Sequence, residues 1–436
     1  MTDDYTDLNT AIDAAEAKTL GFDEGEYAPY ENVGALQALA AAKAVNQTVK
    51  TAQPVLDEII DNLTGATWTE NSGDVDAIHN GLYATVAEGK NYPEGWTRTN
   101  AWGQMQSEIE GDYATAYYNH PGSLQYGNQG VYTMPLKASQ LYKLTFAYRS
   151  HDANNPNKGV TVSVKNGDEG LNAVVFPKNG STSDWKVVEA YFTTTTPGNY
   201  VLTLANDGNT WMTGVSLVKA EESELALAAN PTKYTYYQDA SLNRTFSTDN
   251  YSTLVLPFAL TADETSAAFK EVYELGAVEG QSIKLAEATE ITATKPYLVK
   301  AKNATLSVTG KAIDPAKGVT NTVVKSADEK TTATFVGTFS PVELTSSNEN
   351  TYVVSSNTLY KVTSVVNVKA YRGYFTVATT SGVKNFVLDF GNGETTSIEA
   401  LESETRDKVI YNLAGQRVQK AQKGIFIVNG KKVVIK

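Results

Sequence analysis

Hydrophobic positions in the first 65 residues recur with the period of an α-helix. Leu8, Ala11 and Ala15 are spaced i, i+3 and i+7, which places them on one helical face. The same spacing starts again within residues 36–40 and 55–63, and Gly65 then provides a helix stop. The pattern therefore predicts an N-terminal helical bundle over residues 1–65.

From residue 66 the hydrophobic period changes to two. Tyr142, Leu144, Phe146 and Tyr148 alternate with polar or small residues, and the segments VTVSV and YVLTL repeat the pattern. Turn-forming stretches such as NNPNKG and TTPGN separate these segments. Short alternating strands at this spacing are typical of a β-sandwich, and we expect a jelly roll over residues 66–222.

A second set of strand-like segments follows a linker at residues 221–235. STLVLPFAL, KPYLVKA, AYRGYFTVA and NFVLDF predict a β-rich domain over residues 232–393, with one short helix near ADETSAAFKEVYEL and KYTYYQ as one strand face. Asn429-Gly430 between two apolar runs predicts a tight hairpin, hence a small C-terminal β-domain over residues 400–436. The expected fold class is mainly β and multi-domain.

Charge and composition exclude several classes of protein. The formal net charge is −13, whereas nucleic-acid binding needs a basic face. Residues 404–436 carry 2 acids and 8 bases, a tail that is either solvated or in contact with an anionic surface. Cysteine is absent, and no run of 18 apolar residues predicts a membrane span.

Candidate catalytic groups are sparse. The three histidines are far apart, and the chain has no H-E-x-x-H, G-x-S-x-G or P-loop motif. Glu108, Glu110 and Asp112 alternate, which suits a solvated strand face as well as a glycosidase carboxylate pair. We therefore expect no enzyme.

Two turn-like stretches offer oxygen ligands for a metal. Residues 152–155 (DANN) and 166–169 (NGDE) carry hard oxygens, but ordinary turn chemistry also explains these residue types, and their spacing is not that of an EF-hand. We predict no cofactor, with a structural calcium ion as the alternative.

Aromatic residues give the strongest indication of a binding site. All five tryptophans lie between residues 68 and 211, and loop-like stretches pair them with tyrosines and amides. Flat rings can meet the C–H face of a sugar while amides and arginine meet its hydroxyl groups. The predicted carbohydrate-binding residues are Trp96, Arg98, Trp102, Tyr117, Tyr118, Tyr126 and Trp211. The alternative is that the tryptophans are structural. We interpret Trp185 as a core or sheet-edge residue and Trp68 as a residue that covers the base of the module.

Three stretches resemble multi-domain surface proteins of the Bacteroidales. GFDEGEYAPYENVGALQALAAAKAV is similar to a helical segment that precedes β-sandwich modules in those proteins, and STLVLPFAL, KPYLVKA and AYRGYFTV resemble a β-domain repeated in them. The C-terminal stretch VIYNLAGQRVQKAQKGIFIVNGKKVVIK is similar to the sorting-type domain of secreted Bacteroidetes proteins. The module at 66–222 more generally resembles galactose-binding-like, carbohydrate-binding jelly rolls.

The resemblance implies a secreted or outer-surface protein, although the first residues, MTDDYTD, lack the features of a signal peptide. The resulting hypothesis is a monomeric, non-catalytic protein whose jelly roll binds glycan. The alternative is a structural or adhesive surface protein whose β-modules are spacers or bind a protein partner. No nucleic-acid partner is expected.

Overall fold

A computed structural model of the chain describes residues 5–48, 50–83, 85, 93–98, 103–107, 115–119, 128–154, 159–206, 210–228, 231–242, 244–345, 350–380, 386–391, 395, 398–400, 410–412, 417–418, 424–428 and 431–435. For residues 98, 103–107, 115–119, 128–129, 206, 398–400 and those from 410 onward, the description is of the backbone alone.

The predicted N-terminal helices are confirmed. The helices are α1 (Thr6–Glu16), α2 (Val33–Lys43), α3 (Gln53–Thr64) and α4 (Ala262–Ala268), with a short 3₁₀ helix at Glu222–Leu225. In α1, Leu8, Ala11 and Ala15 are buried, and they pack in one cluster with Leu56 and Leu63 of α3. The periodic apolar face of α1 thus forms the core of a small helical bundle.

Strands form most of the remaining structure, and they are numbered here in chain order. Strands β1 to β10 are Thr97–Arg98, Gly103–Ser107, Thr115–Asn119, Asn128–Leu136, Gln140–Ser150, Gly159–Asn166, Glu169–Pro177, Lys186–Thr194, Gly198–Asn206 and Thr210–Lys219. Strands β11 to β18 are Tyr234–Ser241, Ser252–Val255, Phe269–Glu279, Ser282–Glu287, Pro296–Ala301, Ser307–Ile313, Thr322–Lys325 and Thr331–Thr338. Strands β19 to β29 are Val342–Leu344, Thr351–Ser355, Thr358–Lys361, Val366–Val368, Arg372–Thr379, Val387–Asp389, Ile398–Ala400, Ile410–Asn412, Arg417–Val418, Gly424–Val428 and Lys431–Ile435. The expected mainly β, multi-domain fold is confirmed.

Two sheets of the first unit enclose one large core. A five-stranded sheet has the order β1-β4-β9-β6-β7, and a seven-stranded sheet has the order β16-β11-β8-β5-β10-β3-β2. Leu144 and Phe146 from the second sheet share the core with Val162, Phe176 and Leu202 from the first. The side chains that alternate inward along these strands thus hold the two sheets together.

The boundaries of the units differ from the expected domain limits. The chain divides into a first unit of residues 1–227, 231–243 and 307–315, and a second unit formed by the rest. Strand β11 pairs in parallel with β8 and antiparallel with β16, so both later strands complete the seven-stranded sheet. A segment ending at residue 222 therefore lacks two strands of the sandwich to which it belongs.

A stacked tyrosine pair joins β8 to β11. The rings of Tyr191 and Tyr237 are 5.2 Å apart and tilted by 6°, and both side chains are buried. Burial raises the pKa of Tyr237 to about 12, with the nearby charges of Glu189 and Glu224 contributing in the same direction. This contact connects two strands that are remote in sequence.

A half-buried carboxylate fixes the segment that enters the sandwich. One Asp76 oxygen, Oδ1, accepts hydrogen bonds from the backbone N–H of Ile78 at 2.8 Å and of Leu217 at 2.9 Å. The Tyr30 hydroxyl donates to the Asp76 carbonyl at 2.8 Å. Burial raises the pKa of Asp76 above its ordinary value, and the hydrogen bonds only partly offset this effect.

The second unit contains three larger sheets. Their strand orders are β12-β15-β13-β14-β24, β17-β18-β23-β20-β21-β25 and β27-β26-β28-β29. Phe335 and Phe375 stack in its core with ring centroids 4.1 Å apart. In the last sheet Val428 pairs with Lys431, which is the register of the hairpin predicted at the C-terminus.

Within the described part of the chain, no helix combines the length and the apolar character needed to span a bilayer.

Replacing Tyr237 with alanine tests whether β11 belongs to the cooperative core of the first unit. We expect the free energy of unfolding to fall by about 3–5 kcal/mol, since a buried aromatic ring is lost. Urea titration followed by tryptophan fluorescence measures the free energy of unfolding of the first unit, because all five tryptophans lie between residues 68 and 211 of that unit. The control is Val175→Ala on β7, whose side chain is 64% exposed, with an expected change of about 0.5 kcal/mol or less. Equal effects of the two variants would contradict the role of β11.

Replacing Asp76 with asparagine tests the role of this half-buried carboxylate. The pKa of Asp76 is raised in the folded state, so the neutral carboxyl group stabilises the fold fully at pH values below the unfolded-state pKa. This stabilisation is lost as the pH rises through the folded-state pKa. Asparagine keeps an acceptor oxygen but has no charge. The free energy of unfolding of Asp76→Asn relative to wild type should therefore increase between about pH 3.5 and about pH 7, a range that brackets the titration of a carboxyl group with a raised pKa. Urea titrations across this range measure it. Asp239→Asn, at an exposed position, is the control, and a pH-independent difference at position 76 would contradict the assignment.

Candidate functional site

Alternation along β5 places an arginine on the outer face of the seven-stranded sheet. Leu144, Phe146 and Tyr148 point into the core, whereas Arg149 has the opposite parity. Since successive side chains of a strand point to opposite faces, Arg149 lies on the face of the sheet opposite to the core, near the end of the strand.

Trp211 and Trp185 join Arg149 from the two neighbouring strands. Trp211 on β10 is the direct backbone partner of Arg149 in the antiparallel register, so the two side chains share a face. Trp185 immediately precedes β8, and its ring lies 4.9 Å from the guanidinium carbon of Arg149. The ring of His151 lies 5.8 Å from that of Trp211. These four residues, Arg149, His151, Trp185 and Trp211, are called the tryptophan–arginine cluster below.

A hydrogen-bonded loop supports the cluster. The Asn179 side-chain amide donates to the carbonyls of Tyr148 at 3.0 Å and Asp184 at 2.9 Å. Ser150 Oγ donates to the Asn179 carbonyl at 2.5 Å, and Arg149 Nη1 donates to the Ser183 carbonyl at 3.3 Å. These bonds tie the loop that carries Trp185 to the end of β5, and so fix the ring beneath the guanidinium.

The members of the cluster differ in exposure. Trp211 is 6% exposed and Arg149 is 8% exposed, whereas Trp185 is half-buried and His151 is exposed. Stacking of a guanidinium on an indole orders both side chains. Chemically, the cluster offers aromatic surface from Trp185 and His151 next to polar groups, a combination typical of sites that bind small polar molecules with one apolar face.

Trp96, predicted at the rim of a binding site, lies in the core of the first unit. It is 4% exposed, and its ring contacts those of Tyr83 at 5.3 Å and Tyr132 at 5.2 Å. It precedes β1 of the five-stranded sheet, whereas β2, which follows residue 102, belongs to the seven-stranded sheet. The burial of Trp96 favours the alternative interpretation of this residue as a core side chain.

The remaining predicted residues fall into two groups. Arg98, Tyr117 and Tyr118 belong to strands of which the backbone is described, and Tyr118 pairs with Trp211 across β3 and β10. Trp102 and Tyr126 lie outside the described residues, as do Glu108, Glu110 and Asp112. The carbohydrate-binding role of Arg98, Trp102, Tyr117, Tyr118 and Tyr126 stays a prediction.

Sequence reasoning missed Arg149 and His151 and interpreted Trp185 as a core or sheet-edge residue. The missed signal is the alternation of side chains between the two faces of a strand. Trp185 is in phase with the partly exposed Val187 and out of phase with the buried Val188 and Ala190. In YKLTFAYRS, Arg149 likewise alternates with the apolar positions Tyr142 to Tyr148, which predicts that it lies on the opposite face of the strand.

The turns considered for calcium show ordinary turn contacts. Asp152 accepts a hydrogen bond from the backbone N–H of Asn154 at 2.9 Å, as in an Asx turn. No group of three or more metal-ligating side chains occurs among the residues that the structure describes.

A separate cavity of about 290 Å³ lies in the first unit beside the segment that precedes α2. Its lining includes Phe22, Leu136 and Lys137. The Lys137 ammonium pairs with Asp23 and Glu26 at 2.6 Å each, so the charge of this lysine is already compensated within the protein. The cavity contains no tryptophan, and the tryptophan–arginine cluster is the stronger candidate.

No known protein family matches the chain, and no curated protein matches it. Solved structures with some similarity include TmCBM61 in complex with beta-1,4-galactotriose, with 12% identity and a TM-score of 0.27 over 34% of this chain and 100% of that one. A carbohydrate-binding module of Cellvibrio mixtus lichenase 5A in complex with cellotriose has 11% identity and a TM-score of 0.21, over 29% and 91%. A xylan-binding domain from Paenibacillus barcinonensis Xyn10C has 9% identity and a TM-score of 0.23, over 30% and 90%. TM-scores of this size carry no argument about function.

Trp96→Ala tests the placement of this ring in the core. We expect a loss of about 3–5 kcal/mol in the free energy of unfolding, because the change leaves a cavity between two tyrosine rings. The measurement is urea titration with the tryptophan signal. Trp185→Ala, which removes a half-buried ring, should cost clearly less. A milder effect at position 96 than at position 185 would place Trp96 at the surface instead.

Proposed function

We propose that the first unit binds glycan through the outer face of its seven-stranded sheet, at the tryptophan–arginine cluster. The observation that carries the proposal is the half-buried Trp185 ring held under Arg149, together with the exposed His151 whose ring lies near that of Trp211. A saccharide presents an apolar C–H face to such rings and hydroxyl groups to neighbouring donors and acceptors.

The proposal includes a non-catalytic protein that acts outside the cell, secreted or displayed on the surface. Support comes from the sequence, which resembles exported proteins of the Bacteroidales and lacks the common catalytic motifs. The predicted residues Trp102 and Tyr126 belong to the same proposal, as candidates for further contacts with the glycan.

A second candidate function is a structural or adhesive surface protein. The burial of Trp96 and Trp211 favours it, because two of the rings predicted to bind a sugar are 4% and 6% exposed. In this case the tryptophan–arginine cluster would brace the end of the sheet, and the glycan-binding proposal would fail.

Trp185→Ala distinguishes the two functions. On an array of plant, mucin and microbial glycans, the full chain should bind at least one class, and the variant should bind it at least about tenfold more weakly, equivalent to about 1.4 kcal/mol. The full chain is required because β11 and β16 complete the sheet.

The matched control is Trp68→Ala. Trp68 is also half-buried and also has a cation over its ring, Lys18 at 5.6 Å, but it packs against the helical bundle. The Trp68→Ala variant should bind the same glycans as the wild-type chain. Absence of binding to every glycan class by the wild-type chain, or equal losses in both variants, would support the structural alternative.

A further inference from the structure

Two arginines of the second unit lie close together, and no acidic side chain in the described part of the chain pairs with either of them. Arg244 follows β11 in the chain, and Arg372 is the first residue of β23. Among the described residues of this unit, every ion pair joins a lysine to an acid, as for Lys295 and Glu274. The chain carries 49 acids against 36 bases, yet none of the acids that the structure describes forms an ion pair with these two guanidinium groups.

Protein contacts hold one side of the Arg244 guanidinium. Nη1 donates to the carbonyl of Thr253 at 2.7 Å and approaches that of Tyr371 at 3.4 Å. The guanidinium carbon lies 4.3 Å from the centre of the Phe246 ring. These contacts fix both the plane and the direction of the group.

The opposite edge of the same guanidinium has no acceptor among the residues that the structure describes. Arg244 Nε and Nη2 are shielded from solvent and have no hydrogen-bond partner there, and the same holds for Nε of Arg372. The N–H groups of Nε and Nη2 point in the same direction, and this edge of an arginine binds two oxygens of a carboxylate or phosphate side by side. The unfilled donors therefore have the geometry of an oxyanion site.

The electrostatics agree with this geometry. Burial lowers the pKa of Arg244 to about 9, and the positive charge of Arg372 acts in the same direction. Burial also lowers the pKa of Arg372. Burying like charges without a counter-ion is unfavourable, and a bound anion would offset both the desolvation and the mutual repulsion.

The surrounding elements place the pair beside an outer strand of one sheet of the second unit. Strand β12 is an outer strand of its sheet, and the Val255 N–H on this strand donates to the Tyr371 carbonyl at 3.3 Å. The Gly373 N–H donates to Thr253 Oγ1 at 3.0 Å. The segments STLVLPFAL and AYRGYFTV, singled out in the sequence, thus meet where the two arginines lie.

We propose that Arg244 and Arg372 form a binding site for an oxyanion, a carboxylate, sulfate or phosphate group that is either free or part of a larger ligand. The side-on edge of Arg244 binds two oxygens of the anion, and Arg372 supplies the second positive charge. Because the donors are shielded, the anion enters only when a neighbouring side chain moves aside. The site is independent of the proposed glycan site in the first unit.

Thermal unfolding of the full chain at fixed ionic strength tests the proposal. Sodium acetate, sulfate or phosphate replaces sodium chloride stepwise, and calorimetry follows the transition that tryptophan fluorescence does not report, since every tryptophan is in the first unit. A specific site gives a midpoint that rises along a saturating curve, whereas the general stabilising effect of these salts does not saturate.

Two variants and a control decide the outcome. Arg244→Lys keeps the charge but loses the side-on edge, and Arg372→Gln loses the second charge; each should weaken the apparent affinity by about tenfold or more. The control is Lys325→Gln, which removes an exposed positive charge from the same unit and should leave the curve unchanged.

The anions distinguish the source of the ligand. Saturation by acetate alone indicates a carboxylate-bearing ligand, and saturation by sulfate or phosphate indicates a tetrahedral anion; either result supports the site. If no anion gives a saturating curve, or if the wild type and all three variants respond equally, the proposal is overturned. Because Arg372 is half-buried at a strand end, the Arg372→Gln variant keeps the test decisive even if Arg244→Lys fails to fold.

Discussion

The structure of the first unit depends on the pairing of β8 with β11. This parallel ladder, from Tyr234 opposite Val188 to Tyr237 opposite Tyr191, brings a strand from beyond the linker into the seven-stranded sheet. Without it, β8 would be an exposed edge. Strand β11 also pairs with β16. The first sandwich therefore includes chain segments that come before and after strands β12 to β15 of the second unit in the sequence. The unit that folds is therefore larger than the jelly roll read from local patterns.

The same ladder determines where the candidate site lies. Strand β8 is held on both sides, by β5 and by β11, so the loop that leads into it has a fixed end at Lys186. Trp185 precedes this residue, and its ring orientation follows from the pleat of the strand. Arg149 is fixed in turn by the register of β5 with β10. The tryptophan–arginine cluster thus results from three strand pairings rather than from one loop.

Local patterns predicted the elements better than their partners. The alternation of Tyr142 to Tyr148 and the helical face of α1 were read correctly, because burial imposes a period on each element. The stretch KYTYYQ was read as a strand face, but no local feature encodes that β11 pairs with β8 rather than with its own neighbours. The helix predicted near residue 262 ends at Ala268, and β13 begins at Phe269. Trp96 precedes a two-residue strand, so its neighbourhood offers too few positions to reveal a period.

The two arginine sites use one physical device in different settings. Arg149 lies against Trp185 and donates to the Ser183 carbonyl, and Arg244 lies against Phe246 and donates to the Thr253 carbonyl. An aromatic face and a carbonyl fix the plane of a guanidinium without neutralising its charge. What differs is the second charge: Arg372 acts on Arg244, and this repulsion makes an anion the most effective way to stabilise the arrangement. An arginine pair of this kind favours a negatively charged ligand.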